Sequence, residues 1–338
     1  MILVTGGTGL VGAHLLFELC LQNEKLIATR RPGSDVQAVR KVFNYYTSEK
    51  EADSLFSRIL WKEADLLDIP ALEKAFVDIN IVYHCAALIS FDPKDEQLLR
   101  KTNIKGTANL VNLSIDRKVE KFCYVSSVAA LGSPDKNRKV TEVSKWNPEE
   151  NHNDYAISKH GAEIEVWRGS QEGLKVYIVN PGIIVGPGFW NSGSGELFSK
   201  IDKGLSYHFP KVSGFVSVHD VVKAMLMLTG SDHENEQFVL VAENLSFEQV
   251  LKQTAKYLQK PVPNKQLKKW MIATGWFFQK IGGIFGRRQQ ITRDSINGLF
   301  EATYYDSSKI QKHLSFHFQP VDKALEETAK IYLQKKIS

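Results

Sequence analysis

The sequence predicts an α/β protein in which a doubly wound parallel sheet carries a smaller, mostly helical C-terminal lobe. Short β-branched runs alternate with helical apolar patterns over residues 1–182. The strand-like runs show little polar–apolar alternation, as expected where helices cover both faces of a parallel sheet. Beyond Pro181 that rhythm ends, and helical patterns dominate residues 183–338. Strand–helix alternation implies right-handed crossovers that wind into one sheet.

The elements follow in order. Residues 2–4 read as the first strand and 10–21 as the helix after it. Strands are expected at 26–30, 59–64 and 81–85, with a helix near 71–77 before the last of these. A long helix over 96–114 leads to a fifth strand at 122–126, and a helix over 155–168 to a sixth at 176–179. Residues 182–195 are rich in Gly, Pro, Ser and Asn and mark a loop. Helical patterns return at 220–228, 247–258, 265–285 and 321–333. The chain divides at residues 1–182 and 183–338, with segments around 213–242 available to complete the sheet.

Composition excludes several classes of function. The net charge of +5 is spread along the chain, with no Lys/Arg block of the kind that grips nucleic acid. The three cysteines, Cys20, Cys85 and Cys123, form no CxxC pair, which argues for a reducing compartment and against a disulfide framework or a zinc site. No charged leader precedes the first strand, so a cytoplasmic location is expected. The most apolar later stretch, 270–278, is bracketed by Lys269 and Lys280 and is too short to span a bilayer.

The strongest local motif is Thr5-Gly6-Gly7-Thr8-Gly9-Leu10-Val11-Gly12, between the first strand and the first helix. Gly6 permits a tight turn, Gly9 lets the backbone approach a pyrophosphate, and Gly12 lets the helix pack closely on the sheet. Amide groups and the positive helix end then face the phosphates. This is the phosphate-binding turn of a Rossmann-type domain. No GK[ST] follows, so the turn is not a nucleoside-triphosphate loop. Arg30 and Arg31 stand at the end of the second strand, where an acidic residue would hold the ribose of NAD. A guanidinium suits a 2′-phosphate. The sequence therefore favours NADP(H), with NAD(H) retained through Asp35.

Tyr155 and Lys159 lie four apart on one helix face. A phenol has a pKa near 10, and a neighbouring ammonium would lower it toward the working range of a general acid/base. Ser127 follows the fifth strand, at the carboxyl edge where ligands bind, and would orient the substrate oxygen beside Tyr155. Ser126 is counted with the cofactor-binding residues by its place at the strand end, although a local structural role suits it better than Ser127. The fourth strand ends at His84-Cys85-Ala86-Ala87, whose small residues allow close cofactor approach. His84 lacks the companions of a metal ligand. Asp65, with Leu66, would meet the adenine, and Asn180-Pro181-Gly182 closes the sixth strand near the nicotinamide. Phe189, Trp190, Trp270, Trp276 and Phe277 are candidate apolar walls for a pocket between the sheet edge and the C-terminal lobe.

Together these motifs resemble the extended short-chain dehydrogenase/reductase family, also called the NAD-dependent epimerase/dehydratase family. TGGTGLVG, Ala64-Asp65-Leu66 and HCAA are similar to its cofactor motifs. Asn103, in Asn103-Ile104-Lys105-Gly106-Thr107, resembles its NxxGT. Ser127, Tyr155 and Lys159 fall where that family keeps its Ser-Tyr-Lys triad. Residues 215–221 and 305–309 resemble later segments of the family. The likeness implies hydride transfer between nicotinamide C4 and a carbinol or carbonyl carbon of a small-molecule substrate. It also implies a homodimer through the helices near 96–114 and 155–168. Arg30 resembles the arginine of dihydroflavonol-reductase-like members, and Leu131 and Asn180 depart from the nucleotide-sugar enzymes. The first reading is therefore net NADP-dependent carbonyl reduction or its reverse. A nucleotide-sugar epimerase or dehydratase and a non-catalytic NADP-binding redox sensor are the alternatives.

Overall fold

The apolar runs fold as helix-covered parallel strands in the computed structural model, which describes residues 1–22, 25–134, 139–271 and 298–337. β1 (Ile2–Thr5) leads through the glycine turn into α1 (Leu10–Gln22), and β2 (Leu26–Arg30) follows. Two helices come next, α2 (Val36–Phe43) and α3 (Glu49–Phe56), then β3 (Ile59–Glu63), the short α4 (Ile69–Glu73) and β4 (Ile81–His84). A helical run comprises α5 (Glu96–Leu99), a π-helical segment (Arg100–Lys105) and α6 (Gly106–Asp116). β5 (Lys121–Val125), α7 (Asp154–Gln171) and β6 (Lys175–Pro181) continue the alternation. The later elements are β7 (Ile183–Val185), α8 (Gly195–Asp202), β8 (Tyr207–His208), β9 (Val212–Ser217), α9 (Val218–Thr229), β10 (Glu236–Leu240), β11 (Glu243–Ser246), α10 (Phe247–Tyr257) and β12 (Lys265–Gln266). Helices α11 (Ser308–Leu314) and α12 (Val321–Ile337) come last.

The main sheet has the order β10-β6-β5-β4-β1-β2-β3, with every pairing parallel. The order reverses between β1 and β4, which places the ligand crevice at their carboxyl ends. One apolar core lies on the α1/α9 face, around Leu16, Phe43, Val179 and Met225. A second lies on the α6/α7 face, around Leu3, Val82, Phe122 and Val166. A third joins α8, α10 and α12 through Phe198, Leu251 and Leu325.

Of the late segments expected to complete the sheet, β10 does so beside β6. β9 instead joins β7 and β11 in a separate three-stranded sheet. Gly182 makes this branch possible: a Cβ there would lie 2.4 Å from the Gly214 carbonyl oxygen. The helix expected over 96–114 is interrupted by the π-helical segment, a local irregularity that periodicity does not reveal. Of the helix expected over 265–285, residues 272–285 lie outside the described residues, and Lys265 and Gln266 form β12. Among the described residues no helix is long and apolar enough to cross a membrane.

Candidate active site at the carboxyl edge of the sheet

The glycine turn is shaped by close backbone contacts. Gly6 has φ +71°, a left-handed conformation that favours glycine, and a Cβ there would lie 2.5 Å from the Ala86 amide nitrogen. A Cβ on Gly12 would lie 2.2 Å from the Gly6 carbonyl oxygen. Gly12 thus seats α1 on the turn itself, rather than on the sheet as expected. Gly9 is different: a Cβ would meet only the Gly6 carbonyl oxygen, at 3.4 Å. The chain's own packing does not require glycine there, which fits a residue kept small for a ligand. No carboxylate occupies the first turn of α1, so its positive end is uncompensated by a local charge.

His84 is fully buried and stitches this region together. Its Nδ1 is 2.7 Å from Thr5 Oγ1 and its Nε2 2.9 Å from Thr107 Oγ1. Burial, helped by Lys159, pushes its pKa down to about 3, so the ring is neutral. Thr5 therefore faces His84. Burial pushes the neighbouring Cys85 thiol up to about 12, which makes it a poor nucleophile. Ala86 is half-buried and Ala87 exposed at the end of the same strand.

Asn103 belongs to the scaffold of the crevice. Its Oδ1 accepts from the Leu88 amide at 2.7 Å, and its Nδ2 donates to Leu88 O at 3.0 Å and Ser158 Oγ at 2.9 Å. It ties the loop after β4 to α7 through Ser158. Asp65 Oδ1 accepts from the Leu67 amide at 2.9 Å, while Leu66 is buried against Gly106.

The structure brings Ser127 and Tyr155 together. Ser127 follows β5, caps the turn over Val128–Ala130 by accepting from the Ala129 amide at 3.1 Å, and lies near enough to the Tyr155 phenol to lower its pKa against burial. Asn153 caps α7 by accepting from the Ala156 amide at 2.8 Å, which fixes Tyr155 in the first turn. Phe91 stands against the phenol ring with centroids 5.8 Å apart.

Lys159 lies deeper than the sequence suggests. Its Nζ donates to Tyr124 Oη at 2.7 Å and to Val125 O at 2.8 Å. In this arrangement the ammonium faces β5, and burial raises the Tyr155 pKa while Ser127 lowers it. Burial pushes Lys159 itself down to about 7, opposed by Glu163.

Glu163, absent from the sequence-level candidates, is 4% exposed one helical turn beyond Lys159. Its Oε1 accepts from Asn180 Nδ2 at 2.5 Å, and Asn180 Nδ2 also donates to Ser127 O at 3.1 Å. Burial pushes Glu163 up to about 7, moderated by Ser126, Asn180 and Lys159. The signal was its spacing: a carboxylate four residues after Lys159, on the same buried face.

Not every candidate lies at this crevice. Trp190 is a core residue, 5% exposed and packed edge-on to Tyr332 at 4.9 Å. Trp270 is exposed, and Trp276 and Phe277 lie outside the described residues. A cavity of about 670 Å³ opens between α9 and α12, lined by Gly186, His219, Asp220, Lys223 and Glu327 among others. Ser127, Tyr155 and Lys159 do not line it.

The model of the NAD dependent epimerase/dehydratase family matches residues 2–240. The chain belongs to that family. It is an enzyme of the epimerase/dehydratase-type oxidoreductase class on a Rossmann core. Curated relatives of this family member include a "Putative dihydroflavonol 4-reductase" of Synechocystis sp., 26% identical over 95% of this chain and 91% of that protein. The UDP-glucose 4-epimerase of Vibrio cholerae is 27% identical over 98% and 95%. Among solved structures, gox2253 superposes with a TM-score of 0.81 at 24% identity, covering 99% of this chain and 98% of that one.

The preference for NADP(H) is overturned. Similar solved structures described with a nicotinamide cofactor hold NAD. They include the UDP-glucose 4-epimerase of Bifidobacterium longum, with 18% identity, TM-score 0.76 and coverage of 99% and 98%. DesIV of Streptomyces venezuelae, at 18%, 0.76, 99% and 97%, is another. The physical reason lies at β2. Arg30 NH2 pairs with Glu63 Oε2 at 3.2 Å, so a 2′-phosphate drawn to that guanidinium would also meet a carboxylate. Arg31 is exposed, and Asp35 Oδ1 caps α2 by accepting from the Ala38 amide at 3.0 Å.

Proposed function

We propose that this enzyme binds NAD(H) over the glycine turn and removes and returns a hydride at a carbinol carbon of a nucleotide sugar, with Tyr155 as general acid/base. The observation that carries this reading is the placement of Ser127, next after β5, beside the Tyr155 phenol at the carboxyl edge of the sheet, with Lys159 buried beneath and donating to Val125 O. Thr8, Gly9, Leu10 and Val11 would line the pyrophosphate, Asp65 and Leu66 the adenine, and Asn180, Pro181 and Gly182 the nicotinamide end. Bound NAD would supply the hydride acceptor. Ser127 orients the substrate oxygen, and Tyr155 takes its proton on oxidation and returns one on reduction. Lys159, held by Tyr124 and Val125 and pushed down to about 7 by burial, can hold or release a proton beneath the site near neutral pH.

Support for a sugar nucleotide comes from the full-length similarity to the Vibrio cholerae UDP-glucose 4-epimerase. It comes also from the solved structures described with UDP or UDP-sugars. This places the epimerase/dehydratase reading ahead of the net carbonyl reduction that the sequence favoured. Net reduction stays as the second reading because of the Synechocystis relative's described activity. A sensor without chemistry would need no Ser-Tyr-Lys set. Three free cysteines support a cytoplasmic location.

The experiment offers the purified enzyme a panel of nucleotide sugars with NAD, and separately ketones with NADH. Sugar turnover without net change in NADH absorbance is expected. Net NADH oxidation by a ketone would move the second reading forward. Tyr155→Phe should lower turnover by roughly 10²–10⁴-fold while NAD affinity holds within about twofold. Unchanged turnover would remove Tyr155 from the chemistry.

A further inference from the structure

At the opposite end of the sheet, three side chains form a cluster that the proposed reaction does not use. His233, Glu236 and His313 each offer one ligand atom, and these atoms lie within 4.8 Å of one another. His233 is on the turn before β10, Glu236 is the first residue of β10, and His313 is near the end of α11. β10 pairs in parallel with β6, so Glu236 stands opposite Tyr177 while Leu240 stands opposite Pro181 at the carboxyl edge. Four strand residues separate the two ends, about 13 Å.

We propose that His233, Glu236 and His313 form a binding site for a zinc-class divalent cation, completed by water. The donor set is two imidazoles and one carboxylate, the chemistry that suits Zn²⁺ over Mg²⁺. His233 Nδ1 lies 3.6 Å from Glu236 Oε1. Two ligands held about 2.1 Å from one ion at the tetrahedral angle stand about 3.4 Å apart. That pair is therefore already at coordinating separation. His313 is exposed and needs only a small side-chain adjustment to close the span.

The surroundings act as an outer shell. His313 Nδ1 is 2.9 Å from the Lys309 carbonyl oxygen, which holds the proton on Nδ1 and leaves Nε2 as the donor nitrogen. Glu236 Oε2 is paired with Lys309 Nζ at 2.7 Å, and Nζ also donates to Gln237 O at 2.9 Å. Oε1 is the oxygen nearer His233. The turn bearing His233 is fixed on β6, because the Asn235 amide donates to Val176 O at 2.7 Å and Asn235 Oδ1 accepts from the Val176 amide at 3.2 Å. A bound ion would staple α11 to the edge of the main sheet.

The test titrates ZnCl₂ into the full chain, freed of any affinity tag, by calorimetry. His233→Ala and His313→Ala serve as variants, and MgCl₂ as the comparison ion. One Zn²⁺ per chain is expected, with affinity at least tenfold weaker in each variant and no comparable Mg²⁺ binding. Zn²⁺ should also raise the melting midpoint of the wild type and of neither variant. Equal Zn²⁺ affinity in both variants would place the ion elsewhere and overturn the site. Absence of binding to the wild type at submillimolar Zn²⁺ would overturn it too, as would equal affinity for Mg²⁺. His233 is half-buried and His313 exposed, and matching melting midpoints without metal establish that the variants fold. None of these outcomes depends on the proposed reaction.

Discussion

His84 on β4 joins Thr5 of β1 to Thr107 of α6 through one neutral ring, and its protonation links the fold to pH. In the folded chain its pKa is about 3, against 6.5 in a free chain. Above that free value both states are unprotonated, and pH has no effect through this group. As pH falls below it, the unfolded chain takes a proton that the folded chain refuses, so stability is lost on acidification. At pH 5 the loss is about 2 kcal/mol, from about 1.4 kcal/mol per pH unit. His14, also pushed down to about 3 by burial, adds to the same slope. His84→Asn should therefore lose less stability between pH 7 and pH 5 than the wild type does, as read from urea midpoints. An identical loss would assign the slope to other groups. At this scale motif spacing in the sequence singles out Ser127, Tyr155 and Lys159 as candidates, and the fold brings Tyr155 and Lys159 onto α7 beside the end of β5. The spacing does not show that Lys159 turns toward Tyr124 and Val125, or that Glu163 and Asn180 meet behind it. Those contacts join α7 to β5 and β6, and no local pattern encodes them.

The turn into α1 separates two reasons for glycine within one element. Gly12 is required by the fold, since its Cβ would strike the Gly6 carbonyl. Gly9 is required by the ligand in the proposed reading. Gly12→Ala should thus destabilise the chain by about 1–3 kcal/mol, the usual cost of overpacking. Gly9→Ala should leave the melting midpoint nearly unchanged and weaken NAD binding at least tenfold. Calorimetry with NAD beside thermal melts distinguishes the two, and a large loss of stability in Gly9→Ala would contradict the assignment. Five of the six expected strands are legible because central parallel strands are largely apolar, whereas the edge strand β3 is mostly exposed and is marked only by its apolar start at Ile59, Leu60 and Trp61. Helices α2 and α3 carry weaker signals, with only Val39, Val42 and Phe43 at helical spacing on the buried face of α2. The placement of β9 and β10 in different sheets depends on distant partners, so periodicity alone cannot assign it.

At the scale of the whole molecule, the α5–α7 side is where the homodimer contact implied by the family resemblance is proposed to form. α6 and α7 pack at close range, since a Cβ on Gly169 would lie 2.7 Å from Val111 Cγ1. Leu98 on α5 and Ile164 on α7 nevertheless remain exposed, at 49% and 54%. An isologous pairing of this side buries both residues from each subunit, four aliphatic side chains in all. Full burial of such a side chain contributes about 1.5–3 kcal/mol, and a charge in its place opposes association through desolvation. The double variant Leu98→Asp/Ile164→Asp should elute as a monomer in size-exclusion chromatography with light scattering, where the wild type elutes as a dimer. Val143 is 80% exposed and lies off these helices, so Val143→Asp should leave the mass unchanged. A wild-type monomer would remove the homodimer from the proposal, and a double variant that stays dimeric would move the interface to another face. Because α7 also carries Tyr155 and Lys159, the same experiment run with the turnover assay reports whether pairing steadies that helix: a monomer with full turnover means that each chain's site is complete by itself.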